Sequence, residues 1–168
     1  INELEYVQSA DVLYLVHESH PPRKLSRTGH TAWTISDVDF VDGPYNNTNI
    51  TSTTVYASGT TGSVTVTASS SIFTANDVGR WIRMKSPDKW GAAEITGYTS
   101  GTQVTATVHA DFEIENSGSG NATKDWRLGA FYIGNYPTKV TFFEERLFHA
   151  NTTTHPNSIW MCSCICIK

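Results

Sequence analysis

Short stretches in which apolar and polar residues alternate recur along most of the chain. An alternation with a period of two places every second side chain on the same face of a β-strand. The stretches that follow this pattern, or that are rich in β-branched and aromatic residues, are 11–17, 23–27, 31–36, 63–68, 81–85, 93–98 and 103–108. They are separated by short turns rich in Gly, Pro, Asn and Asp. The pattern therefore predicts an all-β protein built from short antiparallel strands.

The character of the sequence changes twice, which predicts an inserted domain. A polar tract without apolar periodicity precedes residue 54, and a Ser/Gly/Asn-rich tract follows residue 112. Neither flank has enough strands to bury a core alone. We predict a blade-like β scaffold split between 1–45 and 126–161, a linker at 46–53, an inserted small β-barrel or sandwich domain at 54–112, a linker or long loop at 113–125, and a Cys-rich tail at 162–168 that is a candidate non-native end.

Two local signals predict where strands are interrupted. Pro21 and Pro22 are expected to end the first apolar strand, because proline lacks the amide hydrogen that a sheet requires. In residues 73–80, Asp77 is placed to cap backbone amides and Gly79 to adopt a positive φ. We therefore expect a single helical turn or a tight loop between two strands of the inserted domain.

Charge and composition narrow the range of partners. Charged residues make up 17% of the chain and its formal net charge is −4. No cluster of Lys and Arg is larger than the pair Arg23 and Lys24. A phosphate backbone is bound mainly through such cations, so no nucleic-acid partner is expected. No apolar run is long enough to cross a bilayer, so no membrane span is expected either.

Both flanks resemble a family of viral proteins. Residues 6–17, followed by His20-Pro-Pro-Arg-Lys-Leu25 and Trp33, resemble a propeller-like blade found in tail proteins of short-tailed bacteriophages and related prophages. Residues 136–150, with 157–161, resemble a recurring pattern of these proteins in which a Pro and an Arg-Leu pair frame two antiparallel strands. The middle resembles the small β-domain named after the FCCH domain of ubiquitin-activating enzymes, a common insertion in phage tail proteins. Its marks are Phe73, Asp77-Val-Gly79, Trp90-Gly91, Ile95-Thr96 and Val104-Thr105.

The resemblance implies a non-catalytic structural role in the virion. Such proteins belong to a tail nozzle or hub, where several copies form a ring and contact other tail proteins. The implied location is the virion, after synthesis in the bacterial cytoplasm. Ubiquitin chemistry is not implied, because the FCCH-like module carries no adenylation site or catalytic cysteine. We expect the chain to be a piece of a larger assembly.

No pattern for catalysis or for a cofactor emerges from the sequence. It contains no Gly-x-Ser-x-Gly elbow and no phosphate-binding Gly-x-x-x-x-Gly-Lys loop. The carboxylates at 37, 39 and 42, and the pair at 144 and 145, are more simply explained as turn residues than as a glycosidase pair or a calcium site. We predict that the chain is not an enzyme and that it has no catalytic or cofactor-binding residues.

Histidine and cysteine suggest two metal sites, neither of which we favour. His17, His20 and His30 lie within one predicted meander, where packing or solvated histidines are commoner than ligands. A thiolate site would combine His149 or His155 with the alternating cysteines at 162, 164 and 166, whose spacing does not match a usual zinc site. We therefore predict no metal ligands.

Carbohydrate binding is the main alternative function, because aromatic rings on a small β-domain can stack on sugars. The candidate contacts for a host-surface glycan or a protein partner are Trp90, Tyr98 and Trp126. Trp90 is expected in an exposed loop, whereas Trp81 is expected to be buried within a strand. Core packing is the competing explanation for each ring.

Overall fold

A computed structural model describes residues 4–40, 42–113 and 119–161 of the chain. In this part the regular structure is almost entirely antiparallel β-strand, which confirms the all-β prediction. The strands are β1 Glu5–Ser9, β2 Val12–His17, β3 His20–Arg27, β4 Trp33–Asp37, β5 Val55–Ala57, β6 Ser63–Ala68, β7 Trp81–Ser86, β8 Lys89–Ser100, β9 Gln103–Ala110, β10 Trp126–Leu128, β11 Lys139–Phe143, β12 Arg146–Ala150 and β13 Ile159–Met161. Two 3-10 helices, Ala75–Asp77 and Ser119–Asn121, complete it. Among the described residues, no helix is long and apolar enough to span a membrane.

The chain divides into two compact units. Unit 1 comprises Ile1–Pro44 and Ile133–Lys168, and unit 2 comprises Tyr45–Tyr132. Unit 1 holds a four-stranded sheet in the order β1-β2-β3-β4 and a three-stranded sheet in the order β11-β12-β13. Unit 2 holds one six-stranded sheet in the order β10-β7-β8-β9-β6-β5.

The two sheets of unit 1 share a small core. Alternation along β2 turns Tyr14 and Val16 inward, where both are buried. The Tyr14 ring meets Phe142 of β11 edge to face, with ring centroids 5.4 Å apart. Leu147 of β12 completes this contact and is 1% exposed. The packed sheet faces therefore join residues from both ends of the chain.

The sheet of unit 2 curls into a half barrel around a larger core. The amide of Val55 in β5 donates to the carbonyl of Thr123, and the Thr123 amide donates back, both at 2.9 Å. This bridge draws the β5 edge of the sheet towards the segment that leads into β10. The buried core is apolar and consists of Val55, Ala57, Val64, Val66, Ala68, Phe73, Ile82, Met84, Ala93, Ile95, Val104, Ala106, Phe112 and Trp126.

The turn between β6 and β7 forms as its sequence predicts. The side chain of Asp77 accepts a hydrogen bond from the Thr74 amide at 2.7 Å, so it caps the one-turn helix. Gly79 has a φ of 85°, in the left-handed region that favours glycine. Arg80 adds a buried ion pair with Asp77 at 2.6 Å, and its Nε donates to the carbonyl of Gly129 at 2.7 Å. The turn is thus tied to the end of β10.

Three predictions about chain organisation need correction. Pro21 and Pro22 do not end a strand. Both lie inside β3, before Arg23, the first residue of β3 that pairs with β4. The strand at Trp126, assigned above to the scaffold, pairs with β7 and belongs to unit 2. Residues predicted as linkers also belong to unit 2. The amide of Asn46 donates a hydrogen bond to the carbonyl of Leu128, and Thr123 exchanges two backbone hydrogen bonds with Val55. The tail 162–168 lies outside the described residues.

Candidate functional site

The four-stranded sheet of unit 1 carries apolar side chains on both faces, although on the core-facing side the strands that supply them to the core are β1 and β2 only. One face packs into the core described above through Val7, Tyr14 and Val16. Cross-strand pairing places a second apolar set on the opposite face, since paired residues point to the same side of a sheet. We call this set the outer face; it consists of Tyr6, Leu13, Leu15, Leu25, Trp33 and Ile35.

The outer face is uncovered, most of all at β4. Trp33 is 56% exposed, Ile35 is 57% exposed, and Tyr6 on β1 is 63% exposed. Every residue of β4 is exposed, and this strand is the last in its sheet. A strand in that position presents unpaired backbone amides and carbonyls beside its side chains. The outer face therefore offers both an apolar surface and an open hydrogen-bonding edge.

Charged residues of both signs border the outer face. Arg23 of β3 pairs with Asp37 of β4 at 3.0 Å, and Arg27 approaches Asp11 to 3.8 Å. Burial of the phenol raises the pKa of Tyr136 in the same unit, and the negative charge of Asp37 raises it further. These pairs are exposed, so they contribute little to stability.

A cleft of about 390 Å³ opens beside the outer face. Leu15, Pro21 and Ile35 supply apolar walls, and the imidazoles of His17 and His20 lie with ring centroids 5.4 Å apart. The His17 Nδ1 accepts a hydrogen bond from the Ser19 amide at 3.1 Å, which is a local turn contact. Within the described part of the chain, no group of three or more metal-binding side chains comes together.

The three-stranded sheet of unit 1 also presents apolar side chains outward. Phe143 and Phe148 meet edge to face with centroids 6.3 Å apart, and Phe143 is 63% exposed. Ile159 and Met161 on β13 are 70% and 45% exposed. Each sheet of unit 1 therefore has one face in the shared core and one exposed face that carries apolar residues.

A cluster of aromatic and cationic side chains lies on unit 2, around Trp90. This ring is partly buried, and it lies within β8 rather than in the loop that was predicted. The guanidinium carbons of Arg83 and Arg127 lie 5.4 and 5.0 Å from its centroid. Arg83 also lies 5.8 Å from the ring centre of Tyr45. We call Tyr45, Arg83, Trp90 and Arg127 the arginine–tryptophan cluster.

The other predicted contact residues are not part of this cluster. Tyr98 lies further along β8 and is 43% exposed, so its ring is accessible. Trp126 is 8% exposed in the core of unit 2, and its indole Nε1 donates to the carbonyl of Thr53 at 3.0 Å. A buried, hydrogen-bonded indole presents no stacking face, so Trp126 is not a surface contact. The prediction that Trp81 is buried is wrong as well: it is partly exposed beside His109, with ring centroids 4.9 Å apart.

His149 is the one histidine placed deep inside a unit among those described. It is 1% exposed on β12 and contacts Phe40 edge to face at 5.5 Å. Burial lowers its pKa to about 4 from an ordinary 6.5, because the charged imidazolium is poorly solvated there. The cysteines proposed as its partners in a metal site lie outside the described residues.

Arg83 and Arg127 were not predicted as site residues, although the sequence of β7 shows that Arg83 points away from the core. In β7 the apolar Ile82 and Met84 point to one face of the sheet, whereas Trp81, Arg83 and Lys85 point to the other. That alternation already places Arg83 outside the core. The contact with Arg127 depends on the pairing of β10 with β7, which no local pattern reveals.

No protein-family model matches the chain, and no curated protein is significantly similar to it.

Proposed function

We propose that this chain is a non-catalytic structural module of a bacteriophage tail and that it acts through protein–protein contacts in a nozzle or hub. The supporting observation is the outer face of the four-stranded sheet of unit 1, an apolar surface on which Tyr6, Trp33 and Ile35 are each more than half exposed. The sequence resemblance of the flanks to tail proteins supplies the biological setting.

An exposed apolar face of a sheet is typical of a surface that another protein covers. Most antiparallel sheets with one exposed side carry polar residues there, in alternation with the apolar residues of the core face. Here Trp33 and Ile35 lie more than half exposed on the outer face. Because each is already about half covered, burying the rest of one such side chain contributes about 1–1.5 kcal/mol. A neighbouring sheet packed on this face would therefore gain several such contributions.

The border of the outer face favours a protein partner. Aromatic and aliphatic side chains at the centre, with charged groups at the rim, are the usual arrangement of a protein interface. Arg23 and Asp37, and likewise Arg27 and Asp11, supply a rim of mixed charge. The open edge of β4 adds backbone groups that a further strand can pair with. The proposed partners are other tail proteins or further copies of the same subunit in a ring.

The proposal predicts that a bacteriophage or prophage genome carries the sequence and that the protein is present in the particles of that phage. Purified particles are analysed by mass spectrometry and by immunogold electron microscopy with an antibody against the chain. Peptides from both units should be found, and gold should label the tail. Absence of the protein from intact particles would refute the proposal.

A pair of variants tests the outer face itself. Ile35→Asp places a charge on the outer face. Thr34→Asp places the same charge on the adjacent residue of β4, whose side chain points to the opposite face of the sheet. Both residues are exposed, so the melting temperature of the isolated chain should change little in either case. Particles with complete tails should become rare with Ile35→Asp only. Normal tails with both variants would show that this face is not used in assembly.

A further inference from the structure

The open edge of β4 lacks the features that usually protect an exposed strand. Its residues, Trp33–Asp37, include no proline and no lysine, and the charge on this strand is Asp37 at its end. Proline, lysine or a covering loop normally keeps one sheet edge from pairing with another. All residues of β4 are exposed, so the described part of the chain leaves them accessible. The edge is therefore able to pair with a further strand.

The alternation of backbone hydrogen bonds decides which residues of β4 face this edge. The amide of Val38, directly after β4, donates to the carbonyl of Pro22 in β3 at 2.8 Å. Along an antiparallel strand, backbone groups alternately face the neighbouring strand and face away from it. The even-numbered residues of β4 therefore face β3, whereas Trp33, Ile35 and Asp37 face the open edge. The amides and carbonyls of these residues are the ones that a further strand would use.

The outward-facing residues are complementary to those of a second copy of β4. An antiparallel partner centred on Ile35 would put Ile35 opposite Ile35, Trp33 opposite Asp37 and Thr34 opposite Ser36. Outward-facing residues would then meet outward-facing residues throughout, and each such pair exchanges two backbone hydrogen bonds. A shift by one residue would set outward-facing residues against inward-facing ones. A shift by two would leave one outward-facing residue of each strand without a partner in β4.

Side chains and charges are complementary in the same register. The pairs Ile35–Ile35 and Thr34–Ser36 are of kinds that stabilise antiparallel sheets. Asp37 would lie beside the first residue of the other β4, which pairs with Arg27 of β3. The acidic end of each strand would thus face a basic neighbour in the other copy, and Asp37 would not oppose itself. Both charged groups can keep the exposed ion pairs that they make within their own copy.

We propose that β4 pairs antiparallel with β4 of a second copy, about a two-fold axis at Ile35, and that the two sheets join into one. Because paired residues point to the same side, the two outer faces would lie side by side as a wider apolar surface. A contact of this kind is the same on both copies and closes on itself, so it makes a dimer. The inference rests on the proposed function for its biological setting, since it names a partner for the open edge, but the contact itself is tested with the isolated chain.

Sedimentation velocity of the full chain tests the association. A contact of 5 residues on each side is small, so we expect a dissociation constant of about 10 to about 500 μM. Between about 5 μM and about 1 mM protein, monomers should convert to dimers and to nothing larger. A chain that stays monomeric over the whole range, or that forms larger oligomers, would overturn the proposal. Absence of the protein from phage particles would refute the tail proposal but not this one.

Variants at the two-fold axis test the register, because Ile35 is the residue of β4 that would lie opposite its own copy. Ile35→Lys and Ile35→Asp each place like charges opposite one another and should weaken dimer formation about tenfold or more. An equimolar mixture of the two variants should recover dimers, because opposite charges would then face each other. Thr34→Lys, the matched control, adds its charge opposite Ser36 and should have a smaller effect. Both positions are exposed, so the variants should fold. Dimers of Ile35→Lys as stable as those of the natural chain, or no recovery in the mixture, would overturn the proposal.

Discussion

Burial of His149 makes the stability of unit 1 sensitive to acid. In the folded chain its pKa is lowered to about 4, whereas an exposed histidine titrates near 6.5. Above about pH 7 the imidazole is neutral in both the folded and the unfolded chain, so it contributes no pH dependence. Between 6.5 and about 4 the unfolded chain binds a proton that the folded chain does not. Unfolding is therefore favoured as the pH falls through this window.

The size of the effect follows from the difference between the two pKa values. One pKa unit corresponds to about 1.4 kcal/mol, so the full difference is worth about 3 kcal/mol of unfolding free energy. The loss should accumulate as the pH falls from 6.5 and should level off below about 4. In His149→Leu no proton is taken up at this position, and the side chain remains apolar against Phe40. The variant should lose less stability than the natural chain over the same window.

Two measurements examine this prediction. Urea unfolding at several pH values between 7.5 and 4.5, monitored by hydrogen exchange of peptides from β11 to β13, reports the stability of unit 1. Nuclear magnetic resonance of the imidazole C–H groups reports the pKa of His149 directly. His155→Gln, an exposed histidine in the same unit, is the matched control and should retain the acid sensitivity. The reasoning fails if His149 titrates near 6.5 or if the natural chain and His149→Leu lose stability in parallel.

Two further predictions concern unit 2. Asp77→Asn removes the negative charge that pairs with the buried guanidinium of Arg80 at 2.6 Å and should destabilise this unit by about 3 kcal/mol in urea unfolding. A loss under about 1 kcal/mol would mean that the pair is not buried as described. Gly91→Ala would place a methyl group 2.2 Å from the ring of Phe112 and 2.9 Å from the carbonyl of Ala110. This overpacking should cost about 1–3 kcal/mol, and an unchanged melting curve would contradict the tight contact.

Local patterns predicted those features of the fold that depend on neighbouring residues. Alternation in residues 63–68 predicted β6 at its observed bounds, and the turn at Asp77 and Gly79 formed with the expected cap and positive φ. In these cases the side chain and the backbone it acts on are only a few residues apart. The continuation of β3 through Pro21 and Pro22 was missed because proline is tolerated where no neighbouring strand needs its amide.

Burial in β7 could have been predicted more closely from the sequence than it was. Trp81 was expected inside because it lies within an alternating strand. However, it shares its parity with Arg83 and Lys85, and burial of that face would have required burial of two cations. Ile82 and Met84 fill the core instead, and both are fully buried. Which residues share a face of the strand was a better guide than the presence of the tryptophan in an alternating strand.

The arginine–tryptophan cluster depends on strand register, and Trp126 helps to set that register. A shift of one residue in the pairing of β10 with β7 would turn every side chain of β10 to the opposite face. The buried indole of Trp126 and its hydrogen bond to Thr53 oppose such a shift. Because neighbours on a strand point to opposite sides, burial of Trp126 directs Arg127 outward, opposite Arg83. Trp126 was predicted to contact a ligand directly; in the folded chain it instead positions Arg127 beside Arg83 and Trp90.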